Sequence, residues 1–140
     1  SFLAKLPGRF SYAFELRDPS WHTPAVYKAL EKRGVAFCIY DIRQKPSPVV
    51  ATAEFAYVRL HGPEKDPYRG SYPRSTLDAW GRRLEDWASQ GIGSYLYLDN
   101  TMRGDAIDDA RYLKKIVTTA ETSPAPLRTS RASSRRRQTG

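Results

Sequence analysis

Arg59 and His61 stand two residues apart at the end of an apolar run, FAYVRLHGP. In an extended chain that spacing puts the guanidinium and the imidazole on one face. Glu15 and Arg17 repeat the pattern at the end of FSYAFELRD, Asp41 ends VAFCIYD, and Asp99 and Asn100 end SYLYLDN. Paired arginines grip a phosphate or carboxylate through bidentate contacts. A histidine moves protons near neutral pH. Carboxylates serve as bases or as ligands for a hard cation. His61, Glu15 and Asp41 are therefore the candidate catalytic groups. Arg17, Arg59, Gly62, Tyr68, Tyr72, Asp99 and Asn100 are the candidate ligand contacts. Tyr68 and Tyr72, in YRGSY, carry rings that either stack on a flat ligand or pack their own loop. No HExxH spacing is present, so neither a metal nor a cofactor is specified. P-loop, GxGxxG and GxSxG motifs are absent as well.

Each of these residues has a plainer account. Glu15 and Arg17 would serve as a structural ion pair, Asp41 as a loop cap, and His61 as a packed side chain. The argument for a site is that four strands all end in polar groups after apolar beginnings. Structural polar groups have no need to converge.

The elements that must position them follow from periodicity. Residues 10–18 alternate and predict a strand. Thr23 is an N-cap with Pro24 at the first helical position, and Gly34 stops that helix. Residues 35–41 are almost continuously apolar, as in a strand covered on both faces. A two-proline stretch from Ile42 to Glu54 predicts a loop, and 55–61 the next strand. A Gly-, Pro- and Tyr-rich loop leads to a helix over 75–91. Its N-cap is Ser75, and Leu77, Trp80, Leu84 and Trp87 recur at helical spacing. A strand over 94–100 and a helix over 106–117 complete the order. Alternating strands and helices predict a parallel α/β sheet.

The chain has 140 residues, room for one domain. Its net charge is +8, and half of that lies beyond Val117, where five arginines face one glutamate. Residues 118–140 hold almost no large apolar side chains and are expected to be a disordered Arg/Ser-rich tail. Residues 1–117 are expected to be the folded domain. The single cysteine, Cys38, excludes an internal disulfide and reads as a buried thiol. No apolar run approaches a membrane span and no signal-peptide pattern is present, so a cytoplasmic protein without membrane association is expected.

The blocks FELRDPSW, VAFCIYD, TAEFAYVRLHGP, YRGSY, LDAWGRRLEDWASQG and YLYLDNTMRGDAIDDARYLKKI together resemble the YecE family (domain of unknown function 72). The resemblance runs from about Phe10 to Val117. It implies a TIM-type (β/α) barrel and names no reaction. It also implies that this chain is the C-terminal portion of that barrel, with about four parallel strands, since 140 residues cannot supply eight strand–helix units. Glu15, Arg17, Asp41, Arg59, His61, Gly62, Tyr68, Gly70, Tyr72 and Asn100 match the family pattern. Two positions depart from it. The family reads Asn-Asn-Asp where this chain has Asp99-Asn100-Thr101, and Asn where Asp109 stands.

Three functions are compatible with these features. The first is a pocket for a small anionic ligand, phosphorylated ones included, at the strand ends, with phosphoester hydrolysis as the leading reaction. The second is an accessory that binds nucleic acid weakly and non-specifically through the basic tail. The third is a non-functional truncated remnant. An open half barrel exposes two sheet edges, so a homodimer or a separate N-terminal half is the expected partner.

Overall fold

The computed structural model describes residues 2–121, with side chains to Thr118. The first three elements of the main sequence are strand β1 (Ala13–Phe14), helix α1 (Pro24–Glu31) and strand β2 (Ala36–Ile42). Strands β3 (Lys45–Pro46) and β4 (Phe55–Leu60) follow, then helix α2 (Arg74–Ser89), strand β5 (Gly93–Leu98) and helix α3 (Asp105–Glu121). The sheet runs β1-β2-β4-β5, every neighbour parallel, and β3 pairs antiparallel with β2. This is the expected α/β arrangement with a parallel sheet.

The helices cover one face. Phe37 and Ile39 of β2, and Ala56, Val58 and Leu60 of β4, meet Leu30 of α1 and Leu77 and Trp87 of α2 in one buried cluster. The alternation of β4 is strict: Ala56, Val58 and Leu60 are buried, while Phe55, Tyr57 and Arg59 turn to the other face and are half-buried. That second face carries a ladder of rings. Tyr57 lies 5.2 Å from Tyr97 and 6.4 Å from Tyr95 between centroids, and Tyr95 also meets Phe55. Tyr95 and Tyr97 remain 54% and 47% exposed.

Several expectations need correction. The strand expected over 10–18 narrows to Ala13–Phe14. Beyond it, the Leu16 carbonyl accepts from His22 Nε2 (2.8 Å) and the Arg17 carbonyl from the Tyr40 hydroxyl (3.3 Å), so these groups leave the ladder. The edge of β2 there is taken by β3 instead. The expected loop after Asp41 contains that hairpin. Arg43 and Gln44 both adopt left-handed backbone (φ 54° and 60°), as a two-residue primed turn demands. Neither residue announces such a turn, which Asn-Gly ordinarily does. Helix α2 begins at Arg74 with Pro73 in the cap position, so Ser75 lies inside the helix. Helix α3 reaches Glu121, so the first residues of the stretch expected to be disordered are helical. The rest of that tail, and the nucleic-acid role assigned to it, lie outside the described residues.

The connection from β3 to β4 is fastened by two side chains. Thr52 Oγ1 donates to the Val35 carbonyl and accepts from Phe37 N–H, both at 2.7 Å. Ser47 Oγ accepts from Tyr40 N–H at 2.9 Å. These bonds satisfy β2 backbone groups where no strand reaches. A Thr52→Val variant keeps the shape and strands two buried backbone groups. Its unfolding free energy should fall by about 1–3 kcal/mol in urea melts.

Candidate functional site

The carboxyl ends of β1, β4 and β5 meet around one carboxylate. Parallel register sets Arg59 beside Tyr97, and Tyr57 between Cys38 and Tyr95. Continuing each strand by two residues on the same face reaches Glu15, His61 and Asp99. Glu15 accepts from Arg17 Nε (2.6 Å) through one oxygen and from Arg59 Nη1 (2.9 Å) through the other. Arg59 Nε donates to Asp99 Oδ2 at 3.0 Å. The imidazole of His61 lies between the two carboxylates, with Nε2 3.4 Å from Glu15 and Nδ1 3.5 Å from Asp99. Neither ring nitrogen has hydrogen-bond geometry with any partner, although His61 is completely buried. In front of the cluster lies an open cavity of about 490 Å³ lined by Glu15, Cys38, Tyr57, Arg59, Tyr97 and Asp99.

The electrostatics follow from burial and from these pairs. Burial works to raise the Glu15 carboxyl, but the Arg17 hydrogen bond and the charges of Arg17, His61 and Arg59 bring it below its ordinary value. Burial is also the largest influence on His61 and lowers it. Glu15 and Asp99 oppose that fall, Arg59 and Arg17 add to it, and the net direction is downward. The imidazole is therefore neutral at pH 7. Cys38 Sγ lies 3.7 Å from Glu15, and burial, reinforced by that carboxylate, pushes the thiol up to about 12. Such a thiol is inert.

The structure brings Glu15, Arg17, Arg59, His61, Asp99 and Tyr68 together, and sets Asp41, Gly62, Tyr72 and Asn100 apart from the cavity. Asp41 follows Phe37 and Ile39 on the helix-facing side of β2 and pairs in register with Leu60. Its carboxyl is raised by burial, against the Tyr72 hydroxyl and His61, which lower it. Tyr72 is buried, its oxygen accepting from Gly62 N–H at 2.9 Å. Asn100 is completely buried and donates to the Gly70 carbonyl and to Asp109, both at 2.8 Å. Gly62 has φ 104°, and a Cβ there would stand 2.4 Å from the Arg69 carbonyl oxygen. These residues shape the loop between β4 and α2 and do not line the cavity. Tyr68, from the same loop, does reach the cluster: its ring meets His61 edge-on at 5.6 Å.

Asp109 has no signal of its own in the sequence beyond its departure from the family pattern. It is completely buried and collects three donors: Ser71 Oγ (2.6 Å), Tyr72 N–H (2.9 Å) and the Asn100 amide. A carboxylate accepts where an amide would have to spend one end donating. Among the described residues, no group of three or more His, Cys, Asp or Glu side chains is placed to hold a metal ion. No described helix is long and apolar enough to cross a membrane.

The depressed His61 value has a consequence for stability. Between the unfolded value near 6.5 and the lower folded one, the unfolded chain binds more protons. Stability is therefore full above pH 6.5 and declines as the pH falls through that window. Urea melts across pH should show this slope, and His61→Gln should remove it.

The family model described as "Protein of unknown function DUF72" matches residues 1–134. A solved DUF72 family protein from Thermotoga maritima MSB8 superposes with a TM-score of 0.70 at 22% identity, over 79% of this chain and 47% of that one. Two structures of a DUF72 family protein from Enterococcus faecalis V583 give TM-scores of 0.67 and 0.63 at 18% and 20% identity. Each is covered over 79% of this chain and 48% or 49% of its own. The chain thus spans about half the length of the solved structures it matches. No curated protein matches it. On the family match and the shared fold, the chain belongs to the DUF72 family.

Proposed function

We propose that the cluster at the strand ends binds a small ligand carrying an anionic group, and that His61 transfers a proton in a reaction on that ligand. One observation carries this reading. His61 is completely buried among four charged side chains, yet both its ring nitrogens lack hydrogen bonds. A purely structural ion network would have used them, because an unsatisfied buried polar atom is costly. The arginines divide the binding work. Arg59 is held by two carboxylates, whereas Arg17 has Glu15 as its carboxylate partner and a half-exposed side chain. Arg17 is therefore the cation an incoming anion meets first, and Arg59 the one that ties Glu15 to Asp99.

Hydrolysis of a phosphoester is the reaction class we assign first. Phosphoryl oxygens would accept from the arginines, and neutral His61 would take a proton from the attacking water and return it to the alkoxide that leaves as its P–O bond breaks. Glu15 and Asp99 would stabilise the imidazolium so formed. Inorganic phosphate and a panel of phosphomonoesters test the binding step, read from the His61 ring resonances in NMR titrations. Arg17→Ala should weaken phosphate binding by about 10- to 100-fold, the loss of one charge-assisted contact. Absence of any phosphate-dependent shift at His61 would remove the anion reading.

The same reading assigns the chain to one half of a (β/α) barrel. Among the described residues β1 and β5 each pair on one side only, and the ring-bearing face of the sheet is uncovered. The solved neighbours, about twice as long, are consistent with a second half that covers it. The closing half is either a second copy or an N-terminal half. Light scattering after size exclusion separates the two. A dimer that Tyr95→Lys converts to monomer identifies a second copy, and a cooperative monomer assigns closure to an N-terminal half.

A further inference from the structure

Any ligand that exchanges a proton with His61 has to reach a side chain with no exposed surface. On the cavity side the imidazole is backed by Glu15, Arg59 and Asp99. On the loop side it is covered by Tyr68 alone among the ring contacts, edge-on at 5.6 Å and 76°. Tyr68 itself is 37% exposed, so the ring that meets the buried imidazole also reaches solvent.

The backbone under that ring is unusual. Tyr68 has φ 67°, a left-handed conformation that a bulky side chain adopts only at a cost in strain. Two backbone bonds hold it there: Tyr68 N–H donates to the His61 carbonyl at 2.5 Å, and Met102 N–H donates to the Tyr68 carbonyl at 3.1 Å. Arg17, the residue assigned to meet the anion, is raised chiefly by Glu15, with a smaller contribution from the Tyr68 hydroxyl.

The loop is built to let this piece move separately. At one end, Gly62 packs against the Arg69 backbone and is held by the Tyr72 oxygen. At the other, Gly70, Ser71 and Tyr72 are tied to Asn100 and Asp109. Between these anchors, the side-chain ion pairs of residues 63–69 are long and exposed: Arg69 to Asp66 at 3.7 Å and Glu64 to Arg103 at 3.9 Å. Glycines with positive φ stand at both ends of the piece, at 62 and 70. Anchors flank a segment whose side-chain ion pairs are long, and its strained residue, pinned by backbone bonds, carries the ring that meets the buried base.

We propose that Tyr68 is the gate of the site. Its ring closes over His61 in the free protein, and an anion that engages Arg17 draws the phenol away and opens the path to the imidazole. The gate rests on the reading that His61 acts on a bound ligand, but it is tested without one. Diethyl pyrocarbonate acylates neutral imidazole, and the chain holds only two histidines, so His22 is an internal reference. The modification rate of each is followed by peptide mass spectrometry at pH 7. Tyr68→Gly removes the ring and relieves the backbone, so it should fold at least as well as the parent. It should raise the His61 rate relative to His22 by about 2- to 10-fold, the population shift expected from losing one aromatic contact. Tyr68→Asn, which also tolerates the left-handed backbone, should do the same. Tyr68→Phe keeps the ring and should leave the ratio near the parent value. An unchanged ratio in both ring-deleted variants overturns the gate, as does an equal rise in Tyr68→Phe. Inorganic phosphate should raise the parent's ratio and leave that of Tyr68→Gly unchanged. If phosphate shifts neither protein while the ring deletion still exposes His61, the gate stands and the anion reading fails.

Discussion

A shift of β4 by one residue against its neighbours would turn Arg59 and His61 into the helix-facing core and push Leu60 out toward the cavity. Everything at the site depends on that register. It is held from both sides, by β2 through Cys38–Tyr57 to Asp41–Leu60 and by β5 through Phe55–Gly93 to Leu60–Leu98. The penalty for slipping is set by the far face, where Ala56, Val58 and Leu60 are sealed under the helices. Packing on one side of the strand thus fixes chemistry on the other, because side chains alternate with a period of two. The same alternation explains why Asp41 is absent from the cluster although it too ends a strand: its parity is that of Phe37 and Ile39.

The charges then organise themselves around Glu15. It touches all three cations or potential cations, with Arg17 and Arg59 bonded to it and His61 beside it. Burial holds the imidazole neutral, and around it two arginines are set against two carboxylates. This is the state in which a histidine can accept a proton at neutral pH. It differs from a simple cationic cradle, since the positive groups are already partly committed.

Much of this was legible in the sequence. The apolar runs gave β2 and β4, the 3.6-residue spacing of Leu77, Trp80, Leu84 and Trp87 gave α2, and period-two reading put Glu15 with Arg17 and Arg59 with His61. Parallel order then implied that these pairs share one end of the sheet. What escaped was set by tertiary partners. β1 reads as a long strand, yet its later carbonyls bond to His22 and Tyr40. The β2–β3 turn is made by Arg43 and Gln44, which only the completed hairpin forces into left-handed backbone. Tyr72 and Asn100 look like ligand contacts because they are polar and near the motifs. The Asn100 amide and the Tyr72 N–H instead bond Asp109, 37 residues from Tyr72 along the chain, and no local pattern reveals a bond of that span.

That span also sets an order of events in folding. The loop between β4 and α2 has its C-terminal anchor on α3, the last described element of the chain. Strands β2 and β4, close in sequence, can align before α3 exists, but the Ser71 hydroxyl, the Tyr72 N–H and the Gly70 carbonyl gain these partners only when Asp109 and Asn100 arrive. During synthesis the sheet therefore precedes its mouth. The loop that carries Tyr68 lacks its C-terminal anchor until the final helix docks, and any unwinding of that helix back to Asp109 releases it again.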